Sequence, residues 1–223
     1  VSGYAAAEVE AWKFRSDLSN SGVYDDGGTR PDGMAVWNYT TEKEVYSSPT
    51  VVDGVVYIGS DDHSLYAFNA VTGDLIWSYM AGREIRSSPA VADGVVYFGS
   101  DDYNIYALDA GTGDLIWNFT TEQVARSSPA VADGVVYVAE GPHKILALDA
   151  SNGALLWNST RSSSPWPVGY VTSSPAIADG MVYIGSYDQN LYAFDTSTGD
   201  LVWNFTTADY VFVSPAVFEG VVY

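Results

Sequence analysis

Lysine and arginine are scarce in this chain of 223 residues, and five of the nine lie in short stretches that precede a recurring proline. Arg86 and Arg126 occupy matching positions, each three residues before a proline. A guanidinium fork at such a position can hold a carboxylate or a sulfate through two parallel hydrogen bonds. The alternative is a salt bridge to a glutamate nearby in the sequence, and the nearest are Glu44, Glu84 and Glu122. The candidate anion-binding residues are Lys43, Arg83, Arg86, Arg126 and Arg161.

A second set of candidates lies at matching positions in four stretches of the chain, and its members are His63, Tyr103, His143 and Gln189. Aspartate pairs precede the first two, and carboxylate oxygens are the ligands that Ca²⁺ prefers. Neither pair has the spaced ligands of a dedicated calcium loop, and the two histidines are far apart in the sequence. We therefore predict no metal site and no catalytic residue, and we interpret His63, Tyr103 and His143 as residues that contact a partner.

These candidates are positioned by a repeated phrase, which occurs almost five times with a period of about 40 residues. Its landmarks are Trp37, Trp77, Trp117, Trp157 and Trp203, which alternate with Pro49, Pro89, Pro129, Pro175 and Pro215. The intervals are equal except for one longer interval in each series. A unit of that size made of short strands cannot bury its own apolar surface, so the copies must stack. The sequence therefore predicts an all-β fold, a β-propeller of four-stranded blades.

Turn signals divide each repeat into strands. In the second repeat, Asp93-Gly94 separates a strand at 87–92 from one at 95–100, because such a pair favours a type I′ hairpin. The third and fourth strands are expected at 104–109 and 114–120. We predict four complete blades at 47–80, 87–120, 127–160 and 173–206, with a lead-in segment at 1–33, a lone outer strand at 34–41 and a partial blade at 212–223.

The link between the third and fourth strands carries the most specific motif. In the second repeat it reads Ala107, Asp109, Thr112, Gly113 and Trp117. The pattern Ala-x-Asp-x-x-Thr-Gly-x-x-x-Trp resembles the tryptophan-docking motif of the pyrroloquinoline-quinone-like (PQQ-like) β-propeller family. The opening segment 12–22 is similar to the lead-in before the first blade of such proteins. The resemblance covers residues 12–223 and implies that each repeat tryptophan docks on the adjacent blade.

Membership of this family implies a fold and leaves the function open. The family includes quinoprotein alcohol dehydrogenases, the outer-membrane-barrel assembly lipoprotein and many secreted or surface propellers. The resemblance implies that a dehydrogenase of this kind uses a complete ring of blades around its cofactor, a calcium ion and often an adjacent cysteine pair. This chain has fewer repeats and no cysteine. We expect a non-catalytic interaction or scaffold module without PQQ or Ca²⁺; the alternative is a fragment of a PQQ-dependent or metal-dependent oxidoreductase.

The charge balance bears on partners and location. A formal net charge of −19, from 28 acidic and 9 basic residues, argues against nucleic acid and anionic lipid as partners. No apolar run approaches the roughly 20 residues that a transmembrane helix needs. The alanines at 5–7 are either the remnant of a processed leader or part of a frayed terminus. We expect an extracellular, cell-surface or periplasmic protein.

Four repeat tryptophans are followed directly by an N-x-S/T glycosylation pattern, at Asn38, Asn118, Asn158 and Asn204. On a strand, the asparagine and the threonine two positions later share one face, so these acceptors would form a ring along the outermost strands. Two interpretations remain open at this point. The residues are either N-glycan acceptors or simply the polar face of an outer strand, copied by duplication.

The two faces of the predicted propeller differ between copies. We call the face with the Asp-Gly hairpins and Thr-Gly turns the invariant face, because its residues hardly change. The variable face holds the connections between second and third strands and between blades, and loops of this kind often bind partners. The one longer repeat interval results from an insertion on this face, within residues 161–170. The insertion contains Trp166 between two prolines, which suits either a binding anchor or a plug over the channel.

The incomplete terminal repeats leave the assembly open. The ends either meet in a ring of five units, or the chain is a fragment, or its open strands pair with another copy. An unpaired strand edge is a template for association. We expect a protein partner or self-association through such edges.

Overall fold

The computed structural model describes residues 36–141, 144–160, 173–218 and 220–223. Within these ranges every assigned regular element is a β-strand. The predicted lead-in segment, His143, Arg161 and Trp166 lie outside the described residues. In the part of the chain that is described, no helix has the length and apolar character needed to span a bilayer.

The strands form four sheets of four and one sheet of two, each in chain order. The first sheet contains β1 (Thr50–Val52), β2 (Val55–Gly59), β3 (Ser64–Asn69) and β4 (Leu75–Met80). The second contains β5 (Ala90–Ala92), β6 (Val95–Gly99), β7 (Asn104–Asp109) and β8 (Leu115–Thr120). The third contains β9 (Ala130–Ala132), β10 (Val135–Glu140), β11 (Lys144–Asp149) and β12 (Leu155–Thr160). The fourth contains β13 (Ala176–Ala178), β14 (Met181–Gly185), β15 (Asn190–Asp195) and β16 (Leu201–Thr206), and the partial sheet contains β17 (Val217–Phe218) and β18 (Val221–Val222).

Each sheet is an antiparallel meander that confirms the predicted blade. Ala90 pairs with Tyr97 across the first hairpin, whose turn residues Asp93 and Gly94 have φ of 50° and 74°. Positive φ at both positions is the requirement of a type I′ turn, which explains the Asp-Gly pair. A register shift follows Ala107, where the chain leaves the third strand for the motif-bearing turn.

The largest differences between the predicted elements and the observed strands lie in two places. The innermost strand of the second blade begins at Ala90, not at residue 87, because the amide of Ser88 donates instead to Ser128 Oγ of the next blade at 3.0 Å. Residues 36–41, where an outer strand was expected, carry no strand assignment. An outer strand needs a third strand beside it, and all four third strands of the described residues already pair with their own outer strands.

The core lies between successive blades. One cluster joins Tyr57, Leu65 and Trp77 of the first blade to Phe98 and Leu108 of the second. The innermost strands contact one another in chain order, from β1 through β5, β9 and β13 to β17. Since a blade is covered on both sides, its middle strands are buried at nearly every position, as in β6 and β7. This explains the unbroken apolar runs in the sequence.

Candidate functional site

The invariant face is built from contacts that repeat at four successive interfaces. Trp77 Nε1 donates a hydrogen bond of 3.0 Å to the carbonyl oxygen of Ala110 in the next blade, and Tyr57 Oη donates to the same oxygen at 3.1 Å. The indole also covers Gly113, whose φ is +76°. A Cβ added at Gly113 would lie 2.7 Å from Cδ2 of Trp77, so only glycine fits. The equivalent indole bonds run from Trp37 to Ala70, from Trp117 to Ala150 and from Trp157 to Thr196, at 3.0, 2.9 and 2.8 Å.

The aspartate of the motif stabilises the turn beside that glycine. Asp109 Oδ1 accepts hydrogen bonds from the amides of Gly111 and Thr112 at 2.9 and 2.8 Å. These bonds favour the charged carboxylate, which lowers the pKa of Asp109. The first blade uses Asn69 in the same way, through Oδ1 and the amides of residues 71 and 72. The recurring side chains of the invariant face therefore form the turns and the packing between blades.

On the variable face, Arg86 and Arg126 bind aspartates of the chain itself. Arg86 makes a two-pronged contact with Asp61, with Nε to Oδ1 at 3.0 Å and Nη2 to Oδ2 at 2.7 Å. Arg126 binds Asp101 in the same manner, at 2.8 and 2.5 Å. Arg86 Nη1 lies 3.6 Å from Asp101 Oδ2, so the four residues form one Asp-Arg ladder across the first two blade interfaces. The hydrogen bonds to Asp61 raise the pKa of Arg86.

The ladder places both arginines in ion pairs within the chain. Each fork contacts a buried carboxylate, with the side chains of Asp61 8% and Asp101 6% exposed. The partners are these aspartates, not the glutamates expected from sequence proximity. The sequence signal that would have identified them is a constant offset along the chain, the same from Asp61 to Arg86 as from Asp101 to Arg126.

In the fourth blade, the same separation of 25 residues along the chain links two aromatic residues that lie in contact. Tyr187 and Phe212 lie with ring centroids 4.8 Å apart and planes at 80°, and Tyr210 lies 5.7 Å from each. Phe212 is 47% and Tyr210 43% exposed. We call these three residues the aromatic cluster. Sequence reasoning missed it, although the substitution of Tyr and Phe for Asp and Arg is visible once the repeats are aligned.

The remaining candidates are dispersed. Lys43 is exposed, and Arg83, whose side chain is 58% exposed, has a single weak ion pair with Glu84 at 3.6 Å. His63 and Tyr103 have φ of 77° and 70°, so each occupies a left-handed turn position that favours glycine. Gln189 repeats this conformation at 68°. The structure thus places these side chains at one turn position in three blades without bringing them together.

In the first two blades, a carboxylate next to this turn binds the loop between blades. Asp102 Oδ2 accepts hydrogen bonds from Tyr106 Oη and from the amide of Gly82, both at 2.7 Å. In the first blade Asp62 accepts from Tyr66 and from the amide of Glu42 at 2.9 and 3.1 Å. Burial, together with the bond to Asp62, raises the pKa of Tyr66 to about 12.

The third blade satisfies the same loop by another route. Its sequence has Pro142 at the position of Asp102 and Leu146 at that of the tyrosine. Glu140, which replaces a serine, is 3% exposed and accepts hydrogen bonds from the amides of Glu122 and Gln123. Lys144 forms an ion pair with it at 3.4 Å. A carboxylate from a different position therefore reaches the loop amide that Asp102 binds in the second blade.

The glycosylation candidates Asn38, Asn118, Asn158 and Asn204 are all exposed, and the last three lie on the outermost strands β8, β12 and β16.

The described ranges contain no group of three or more His, Cys, Asp or Glu side chains that could hold a metal ion.

Comparison with known proteins places the fold. Residues 28–223 match the sequence profile of a protein family that is described as outer membrane protein assembly factor BamB. BamB from Moraxella catarrhalis is 23% identical over 80% of this chain and 57% of its own, with a TM-score of 0.68. Quinohemoprotein alcohol dehydrogenase from Comamonas testosteroni is 20% identical over 78% of this chain and 37% of its own, with a TM-score of 0.67. The enzyme ADHIIG from Pseudomonas putida HK5 is 22% identical over 77% and 36%, with a TM-score of 0.65.

These similarities support the fold alone at such identities, and the chain spans less than two thirds of each of these structures. No curated protein matches it. Since the family model covers most of the sequence and the sheets are four-stranded antiparallel blades, the chain belongs to the BamB-like family of PQQ-like repeat β-propellers.

Proposed function

We propose that this chain is a non-catalytic interaction module that binds a protein partner through its variable face, in an extracytoplasmic compartment. One observation carries the proposal. A constant backbone frame presents different chemistry from blade to blade on this face, with an Asp-Arg ladder at the first two interfaces and the aromatic cluster at the fourth. The invariant face repeats one set of contacts from copy to copy, so the difference between the faces supports a binding role for the variable one.

The exposed side chains of the variable face suit a protein surface as partner. Tyr46 is 66% and Tyr103 43% exposed, and Tyr46 lies beside the ladder, with Arg86 Cζ 5.5 Å from its ring centroid. The aromatic cluster adds two half-exposed rings elsewhere on the face. Tyrosine, phenylalanine and arginine are enriched in protein interfaces. The net charge of −19 opposes nucleic acid as an alternative partner.

The family description supports the same class of function. The description names an outer membrane protein assembly factor, which supports a protein as the class of partner and a site outside the cytoplasm. We extend to this chain only the coarse role, binding of a protein outside the cytoplasm. The ladder also supports a non-catalytic role, because the arginines bind buried aspartates in place of a substrate anion.

Site-specific photo-crosslinking in the native organism tests the proposal. Benzoylphenylalanine would replace Tyr103 or Tyr210 on the variable face, and Val71, 76% exposed on the invariant face, is the matched control. We expect the same defined protein to be crosslinked from both tyrosine positions and not from Val71. Equal crosslinking from Val71, or none from either tyrosine position, would contradict the proposal.

A separate measurement addresses catalysis. The purified protein would be mixed with PQQ and Ca²⁺, and oxidation of primary alcohols would be followed by dye reduction. We expect no turnover above that of the free cofactor. Turnover that requires the protein would establish the oxidoreductase alternative.

A further inference from the structure

The outermost strand of every complete blade has an edge of unusual composition. These strands are β4, β8, β12 and β16, and within the described ranges each has a partner strand on one side only. None of these strands contains a charged residue or a proline, and Leu115 and Ile116 of β8 are 47% and 46% exposed. Proteins usually protect such edges with lysine, proline or a bulge, because free edges pair with other chains. The bulge present here affects only the start of the strand, opposite Leu108.

The glycosylation patterns lie on these same edges, in a geometry that presents them to solvent. On β8, Trp117 is buried against the next blade while Asn118 and Thr120 are exposed. Asn118 Nδ2 and Thr120 Oγ1 both donate to Asn104 Oδ1 on the neighbouring strand, at 3.3 and 2.8 Å. A glycosylated asparagine retains one amide hydrogen, so this bond is compatible with modification.

The fourth blade repeats the arrangement with separate residues. Asn204 Nδ2 and Thr206 Oγ1 donate to Asn190 Oδ1 at 3.2 and 2.7 Å. In the third blade Asn158 is exposed on β12 at the same position. Only β4 lacks the pattern, since Ser78 replaces the asparagine and Met80 the threonine. The first blade therefore supplies an internal control.

We propose that Asn118, Asn158 and Asn204 carry N-linked glycans that cover the free edges of their blades. In the transfer step, Asn Nδ2 bonds to the anomeric carbon of an oligosaccharide carried on a lipid pyrophosphate. The bond from that carbon to the pyrophosphate oxygen breaks, the lipid pyrophosphate leaves, and the amide loses one proton. A bulky, hydrated glycan beside the edge then prevents another strand from docking there. The inference rests on the extracytoplasmic location in the proposed function but not on the protein partner.

Mass spectrometry of protein purified from the native organism tests the modification. We expect the peptides with Asn118, Asn158 and Asn204 to carry glycan mass, and the peptide with Ser78 to be unmodified. A matched pair of variants isolates one acceptor, because Thr120→Ser retains the pattern whereas Thr120→Val removes it and leaves Asn118 in place. Thr120→Ser should retain the glycan on Asn118. Thr120→Val should lose that glycan and keep those on Asn158 and Asn204. Unmodified masses at all three asparagines overturn the inference.

The protective role has its own readout. The variant Asn118→Gln/Asn158→Gln/Asn204→Gln should associate at concentrations where the native protein is monodisperse by light scattering. A monodisperse triple variant overturns the shielding role. If the protein is unmodified but still crosslinks to a partner from Tyr103, the glycosylation inference is wrong and the proposed function stands. If the protein is recovered from the cytoplasm, both the glycosylation inference and the proposed location are wrong.

Discussion

The two faces of the propeller solve the same problem of joining blades in opposite ways. On the invariant face, four interfaces repeat one indole bond within 2.8–3.0 Å and place a glycine under each ring. On the variable face, an Asp-Arg ladder joins the first blade to the second and the second to the third, and aromatic rings lie in contact between the fourth blade and the chain that follows it. The indole contact, which requires a glycine beneath the ring, is retained at all four of its interfaces, whereas a contact with several chemical solutions diverges.

The third blade shows how far that freedom extends. The loop amide that Asp102 binds in the second blade has its counterpart at Glu122 in the next loop, and this half-buried amide also has a carboxylate acceptor. Glu140 supplies it from a position where the other blades have serine. The variable face therefore changes its side chains while it continues to satisfy the same backbone groups.

The largest effect is expected on the invariant face, from Gly113→Ala. The new methyl group would meet the Trp77 ring at 2.7 Å and would also impose a side chain at a φ of +76°. We expect a loss of about 4 kcal/mol in the free energy of unfolding, from strain and overpacking together. The measurement is chemical denaturation followed by tryptophan fluorescence.

Gly94→Ala is the matched control, because its φ is +74° and nothing lies within 4 Å of the added Cβ. It should cost only the backbone term, about 1 kcal/mol. Equal losses for the two variants would show that the indole contact contributes nothing to the constraint.

The next effect concerns the ladder. Arg126→Met removes the two-pronged partner of Asp101 and leaves this buried carboxylate with Arg86 Nη1 at 3.6 Å. Removing one member of a buried pair costs about 3 kcal/mol. Arg83→Met is the control, since the Arg83 side chain is 58% exposed and its ion pair is 3.6 Å long. It should change the unfolding free energy by less than about 0.5 kcal/mol, and a similar loss in both variants would contradict the structural role of the ladder.

The sequence alone predicted the blades well, because Asp-Gly turns, tryptophan spacing and apolar strands are local signals that repeat. It did not predict the partners of Arg86 and Arg126, because the aspartates are distant in the sequence and meet the arginines only after two blades pack. It also missed the aromatic cluster, whose rings come from two loops of the fourth blade interface. Local propensity fixes a strand, whereas contacts across an interface depend on the angle between blades.

Glu140→Ala should have a smaller effect than the loss of the ladder. The variant leaves the amides of Glu122 and Gln123 without their carboxylate acceptor and leaves Lys144 without one of its two ion-pair partners. We expect a loss of about 2 kcal/mol. Glu140→Gln keeps an acceptor oxygen of similar reach and should lose less than half as much. Identical unfolding curves for Glu140→Ala and the parent protein would show that the loop amides find another acceptor.

The smallest expected effect on stability concerns the turn aspartates of the invariant face and is measurable only at acid pH. Hydrogen bonds from turn amides lower the pKa of Asp109 and Asp195 in the folded chain, and bonds from the hydroxyl and then the amide of Ser151 lower the pKa of Asp149. A depressed folded pKa stabilises the fold above the unfolded value of about 3.9, and this stability is lost as pH falls through the folded pKa. Asn69 makes the same turn bonds with an amide oxygen that does not titrate in this range.

The first blade already has asparagine, Asn69, at the position where the other three blades have aspartate. The same substitution therefore tests the acid sensitivity of the other three turns. Replacing the three aspartates by asparagine should leave the unfolding midpoint at pH 7 nearly unchanged and should flatten its decline below about pH 4. Denaturant midpoints measured between neutral pH and about pH 2.5 provide the test. A decline as steep as that of the parent would place the acid sensitivity elsewhere, and the Asp-Arg ladder of the variable face would then be the next region to test.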